Sequence, residues 1–208
     1  MDNCCATGTE ILNLDKMLTS LGYSGVTPEI LNLLSRDDSI SLRSALARHP
    51  MATAEVFSRL VCDEESAVRH SIAINPSATG SALAFLSQDA DPVVRAAVAA
   101  HTNTPERSLK MLICDSDVRV RWAVTTNLAV TQSMLEELSF DTESYVRCMV
   151  ASNILVSSDV LFRLSDDPDE LVRCSVVVNP SAPVSLLRKL SHDTSVFVCI
   201  AASSVLFE

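Results

Sequence analysis

The sequence predicts an all-α repeat solenoid, and three observations carry that prediction. First, the 208-residue chain repeats with a period of 26 residues, and copies open at Leu34, Leu60, Leu86, Leu112, Leu138, Leu164 and Leu190 without insertion or deletion. A period held this strictly belongs to stacked units that cannot bury their apolar faces alone. Second, the fourth residue of every copy is Asp: Asp37, Asp63, Asp89, Asp115, Asp141, Asp167 and Asp193. The tenth is Arg in six copies, Arg43, Arg69, Arg95, Arg121, Arg147 and Arg173, with Cys199 in the seventh. Third, apolar residues make up 48% of the chain but aromatics only 4%, and Gly occurs four times. A core of Ala, Val, Leu and Ile suits closely packed helices, and no Gly-containing turn flanked by alternating apolar residues argues for a hairpin.

The elements follow in order along the chain. Residues 1–7 read as a disordered leader. Residues 8–33 read as an amino-terminal helical cap: Ile11, Leu14, Leu18 and Leu21 keep helical spacing, and VTPEILNLL from Val26 repeats the second half of a unit. Residues 34–208 form the repeat array. Within a unit, positions 9, 12, 13 and 16 fall on one face of a first helix, held by Val172, Ser175, Val176 and Asn179 in the sixth copy. The Asp at position 4 is placed to cap it, with Pro168 then at the first helical position and Glu170 at the third. Position 16 is Asn75, Asn127, Asn153 and Asn179, or His49 and His101, and Pro50, Pro76 and Pro180 follow. Asn is expected there in the left-handed conformation that ends a helix, and Pro forbids continuation. A second, shorter helix begins after Thr53, Thr79, Thr131 or Ser157 and runs into the next opening Leu.

The recurring pattern L-x-x-D-x-x-x-x-V-R-x-x-V-A-x-N-P, clearest in LVCDEESAVRHSIAINP and LSDDPDELVRCSVVVNP, resembles the leucine-rich repeat variant family, which is similar to HEAT repeats. The resemblance covers Leu34 to the end plus half a unit before it. Copies three, four and five lack the Pro, and copy seven lacks both Arg and Asn. It implies a right-handed superhelix in which a longer helix alternates with a shorter one; in HEAT repeats the Val-Arg helix lines the concave side. Some members hold an iron–sulfur centre on an amino-terminal cysteine cluster. This chain has only the adjacent pair Cys4 and Cys5 there, short of the four thiolates such a centre requires, and no cofactor is expected.

Composition narrows the function. Net charge is −10, and six of the sixteen basic residues are the repeat arginines. Few cations remain to track a phosphate backbone, so no nucleic-acid partner is expected; a partner with a basic surface would be the electrostatic complement. Seven cysteines are scattered, with Cys62 and Cys114 sharing position 3 and Cys148 and Cys174 sharing position 11. They substitute for small residues as buried cysteines do. With no secretory signal and no apolar run of membrane-spanning length, the reading is a cytoplasmic protein without a membrane partner.

Four constellations are candidates for function. Each repeat Arg is expected to reach the Asp of a neighbouring unit, forming a structural ladder that fixes register; seven equivalent carboxylates offer no outlier for catalysis. The repeat stops repeating at positions 8, 11 and 15, which lie together turned away from the core face. Of these, Arg119, Trp122, Tyr145, Cys148, Leu171 and Cys174 at positions 8 and 11 are expected to make one partner-binding patch, since Trp, Tyr and Arg are enriched at binding hot spots. Acids before the first helices, including Asp38, Glu64, Glu65, Asp91, Asp117, Glu143, Asp166, Asp169 and Glu170, form a negative ridge. Such acids also favour helix N-termini without any partner. The last copy carries Phe197 and Ile200 at the outer positions, expected at the interface of an isologous homodimer. His49 and His101 lie two repeats apart, too far to share a metal. The function these observations imply is a non-enzymatic protein-binding scaffold. The competing assignment is a HEAT-like repeat enzyme or nucleic-acid binder, with Trp122 and Tyr145 stacking a base in a concave cleft.

Overall fold

A computed structural model describes residues 28–207, and all its regular elements are helices. The leader, Cys4, Cys5 and the first half of the cap lie outside the described residues. By contacts the chain divides into two compact units, one ending at Pro105 and the other beginning at Glu106. The first unit holds α1 (Pro28–Leu34), α2 (Ile40–Arg48), α3 (Ala54–Leu60), α4 (Ser66–Ala73), α5 (Gly80–Leu86) and α6 (Pro92–Ala100). The second holds α7 (Glu106–Leu112), α8 (Val118–Thr125), α9 (Gln132–Leu138), α10 (Ser144–Ser152), α11 (Ser158–Leu164), α12 (Glu170–Val177), α13 (Val184–Leu190) and α14 (Val196–Phe207).

Most of these helices are only seven to nine residues long, too short to persist alone in water. They persist because each first helix packs on the next: α2 on α4 and α4 on α6 in one unit, α8 on α10, α10 on α12 and α12 on α14 in the other. Position 13 supplies Leu46, Ile72 and Val98, then Val124, Val150, Val176 and Ala202, all 0% exposed. Position 9 adds Val68, Val94, Val120, Val146, Val172 and Val198, also 0% exposed. Burying each such Val or Leu contributes about 1.5–3 kcal/mol, and the side chains are short enough for adjacent helices to approach closely. The short second helices start where Thr or Ser marks them: the hydroxyls of Thr53, Thr79, Thr131 and Ser157 accept from the amides of Val56, Ala82, Met134 and Val160. The result is the all-α stack of helix pairs that the period requires.

Two local expectations are corrected. The first helix is capped at position 6, by residues such as Asp91, Asp117 and Asp169, and not by the Asp at position 4. Position 4 instead turns the chain two residues earlier, its carboxylate accepting the position-6 amide, as in Asp63 to Glu65 at 3.0 Å. Pro168 therefore lies in the turn, and Glu170 is the first helical residue. Position 16 is not left-handed either: His49, His101 and Asn153 have extended backbone, with φ between −67° and −77°. A Cβ suffers no strain there, so another reason must place Asn or His at this position.

Candidate functional site

The Asp and Arg of the repeat form a cross-repeat ladder inside each unit. Arg43 Nε donates to Asp63 Oδ2 at 2.7 Å, and its Nη2 donates to Oδ1 at 3.1 Å. Arg69–Asp89, Arg121–Asp141, Arg147–Asp167 and Arg173–Asp193 repeat this fork with Nε to oxygen distances of 2.6–2.8 Å. The Nη1 of each guanidinium turns back on its own unit. Arg69 Nη1 donates to the Asp63 carbonyl at 2.6 Å and the Glu64 carbonyl at 3.1 Å, and Arg95 Nη1 does the same with Asp89 and Ala90 at 2.7 and 3.2 Å. One side chain thus ties its own helix entry to the next repeat's carboxylate, and most of its donors are spent. Arg147 and Asp167 are 13% and 5% exposed. The hydrogen bond each paired Arg donates to its Asp raises it further above its ordinary value. Burial pushes Asp63 and Asp141 up, yet the Arg fork, the backbone amide and the neighbouring positive charges together hold both below the usual carboxylate value. Asp193 is lowered first by Arg173.

A second ladder runs through position 16. Asn75 Nδ2 donates to the carbonyls of Ala47 and His49 at 2.7 and 3.1 Å, while its Oδ1 accepts the Ser77 amide at 2.8 Å. Asn179 repeats the pattern on Ala151, Asn153 and Ser181, and Asn153 Nδ2 donates to Thr125. His101 fills the same role with its ring: Nδ1 accepts from the Asn103 amide at 3.0 Å, which leaves the proton on Nε2, 2.8 Å from the Asn75 carbonyl. Asn and neutral His interchange here because each offers one acceptor and one donor in the needed directions. The signal was present in the sequence, a single polar residue once per period, but helix-end chemistry masked its cross-repeat role.

Both ladders recur almost unchanged, so they hold the stack without distinguishing one part of the surface from another. Positions 8 and 11 do distinguish. In the second unit Tyr145, Leu171 and Phe197 are 59%, 64% and 74% exposed, and Ile200 is 60% exposed. Trp122, Cys148 and Cys174 are half-buried between them. The Trp122 and Tyr145 rings stack with centroids 6.1 Å apart and planes at 23°. The Trp122 Nε1–H is buried without an acceptor, a cost of about 1–3 kcal/mol. Arg119 is held by Asp117 at 2.7 Å. Burial pushes the Cys148 and Cys174 thiols up, so at neutral pH they contribute apolar surface and not a thiolate nucleophile. The structure therefore brings Arg119, Trp122, Tyr145, Cys148, Leu171 and Cys174 onto successive first helices of the second unit, with Phe197 and Ile200 on α14. Val178 (66% exposed), at the outward position 15, and Val196 (68%), which the sequence does not single out, add to the exposed apolar residues.

The same positions differ in the first unit. Ser41, Ala67 and Val93, with Ser44, His70 and Ala96, replace the large apolar residues. A shallow groove of about 600 Å³ opens there, lined by Ser41, Ser44, Arg48, Glu65, His70 and Asp91 among others. Some of the acids are engaged in structure: Asp91 is lowered by the Val93 amide and the Ser66 hydroxyl, and Asp169 by the Ser144 hydroxyl and the Leu171 amide. Asp38, Glu64, Glu65, Glu143, Asp166 and Glu170 are exposed. Among the described residues no cluster of three His, Cys, Asp or Glu side chains could hold a metal ion, and no helix is long and apolar enough to cross a membrane. In α14, Cys199 stands where earlier units carry Arg, and its Sγ lies 2.9 Å from the Ser191 carbonyl.

No family model matches the sequence, and no curated protein matches it. A solved structure described as a leucine-rich repeat variant with a novel repetitive structural motif is similar to it. The TM-score is 0.70 and the identity 27%, over 96% of this chain and 87% of that one.

Proposed function

We propose, from the premise that the chain is a helical-repeat protein of the leucine-rich repeat variant type, that it is a non-enzymatic scaffold which binds a protein partner. The observation that carries this reading is the row of exposed apolar side chains at positions 8 and 11 of the second unit. Leaving Tyr145, Leu171, Phe197 and Ile200 in water serves no stability purpose, and an apolar row rimmed by polar groups marks an interaction surface. Its aromatic pair supplies the rigid, large contact area that dominates binding energy. The ladder arginines have their forks filled by carboxylates and carbonyls, which takes them away from phosphate recognition. The displaced carboxylates are displaced downward, the wrong direction for a general acid or base near neutral pH. These observations weigh against the enzyme and nucleic-acid readings.

A second reading, self-association through Phe197 and Ile200, draws on their exposure at 74% and 60%. Light scattering at micromolar concentration separates the two, because a partner-binding monomer stays monomeric while a homodimer shifts to twice the mass. Affinity capture from the native cell with wild-type and Tyr145→Glu baits, followed by titration of the purified partner, tests the main reading. A partner that binds both proteins equally contradicts it.

A further inference from the structure

We infer that the row on the second unit takes an amphipathic α-helix, apolar along one stripe and carrying Lys or Arg along one flank. The inference rests on the proposed binding role of this surface and says what chemistry fits it.

Spacing is the first argument. The row advances by one first helix at a time, from α8 to α10, α12 and α14, and packed helices lie about 8–10 Å apart. The stripe of an α-helix returns to the same face every two turns, about 10.5 Å for seven residues. A partner helix lying across the row therefore sets one apolar residue against each of three stations without losing register: the stacked Trp122–Tyr145 pair, Leu171 and Phe197. Two spacings, roughly 20 Å, require about 14 residues of helix. An extended strand meets the same interval only every third residue, about 10 Å. Its odd-numbered step turns alternate contacts to opposite faces, so it cannot keep one face down.

Charge is the second argument, and it sets the flank. The acids at positions 6 and 7, Glu143, Asp169 and Glu170, immediately precede Tyr145 and Leu171, and the N-cap Glu143 makes no capping bond with its carboxylate. The other edge, position 15, carries Thr126, Ser152, Val178 and Ser204, which are neutral. The row's own cation, Arg119, is paired to Asp117. The row is thus acidic along one border and uncharged along the other, and a helix with cations on one flank matches both borders.

The test uses the full chain and three synthetic helical peptides of about 22 residues. All share one Leu/Phe stripe, and their flank is Lys, Gln or Glu. Trp122 is the single tryptophan and lies in the row, so its emission reports docking directly, alongside anisotropy of labelled peptide. The expected result is micromolar binding of the Lys-flanked peptide, at least tenfold tighter than the Glu-flanked one, with the difference shrinking as salt is raised. Leu171→Glu and Phe197→Asp should each weaken binding at least tenfold. Both sites are the second residue of their helices, where an acid favours the fold, so a loss cannot be assigned to unfolding. Equal binding of all three peptides, or none at millimolar concentration, overturns the helical basic occupant. A natural partner captured in a Leu171-dependent manner alongside either result leaves the binding role standing and removes only this inference.

Discussion

The two units share one frame and present two different surfaces. Arg43–Asp63 in the first and Arg147–Asp167 in the second have the same forked geometry at 2.7 Å. Asn75 and Asn179 make the same pair of bonds to the preceding repeat. Yet position 8 is Ser41, Ala67 and Val93 in one unit and Arg119, Tyr145, Leu171 and Phe197 in the other. Residues that hold the stack repeat, and residues that meet something else diverge. In such a molecule the departures from the period are the functional information, because fold alone does not assign function.

The comparison is sharpened most by breaking the frame equally in both units. Arg69→Ala and Arg147→Ala each remove a bidentate pair and leave a carboxylate that is 4% or 5% exposed without its partner. The ladder lies between an exposed pair, worth under about 1 kcal/mol, and a fully buried one, whose breakage costs about 3–5 kcal/mol. Each variant should lose about 3 kcal/mol in chemical denaturation, and the two losses should agree. Next in size, Asn179→Ala strands the Ala151 and Asn153 carbonyls and the Ser181 amide, for about 2 kcal/mol. His101→Asn, which keeps one donor and one acceptor, should cost under about 1 kcal/mol.

Acid should act on both units alike. Asp63, Asp141 and Asp193 titrate below their ordinary value in the folded chain, so the unfolded chain takes up protons first as pH falls. Their contribution is complete above the unfolded Asp value of about 3.9. It is lost as pH drops through the lower folded values. Circular dichroism should show helix retained at pH 5 and lost below about pH 4. Loss of helix already at pH 6 contradicts this assignment. The smallest stability effect belongs to the row: Leu171→Glu should change stability by under about 0.5 kcal/mol, since its side chain is mostly exposed.

The frame was legible in the sequence because periodicity counts residues, and counting is enough to place Val68, Val94 and Val120 on one buried face. Counting also put Trp122 and Tyr145 on adjacent repeats, 23 residues apart, close enough for the rings to stack. It did not reveal every neighbour a polar side chain answers to. Asp at position 4 and Asn at position 16 both suit helix ends by local propensity; the Asp is also legible as the partner of a neighbouring repeat's Arg, whereas the Asn is legible only as a helix end. In the folded chain each serves the turn and the adjoining repeat together. Asp63 accepts from Glu65 and Arg43, and Asn75 bonds Ser77 and Ala47. A residue type that meets two needs at once looks, in sequence, like one that meets either. The apolar row was legible as an interruption of the pattern, but the exposure of Val196 was not, because Val in a helix ordinarily reads as core.

The central claim, that binding resides in the divergent positions of the second unit and not in the shared frame, is tested most directly by paired substitution at equivalent positions. Leu171→Glu with Phe197→Asp alters the row; Ala67→Glu with Val93→Asp makes the same change of charge at position 8 of the first unit. With a partner purified by affinity capture, calorimetric titration of both double variants decides the matter. The account predicts at least a hundredfold weaker binding for the first pair and wild-type affinity for the second. Wild-type affinity in the Leu171→Glu, Phe197→Asp protein, or equal losses in both, would contradict it.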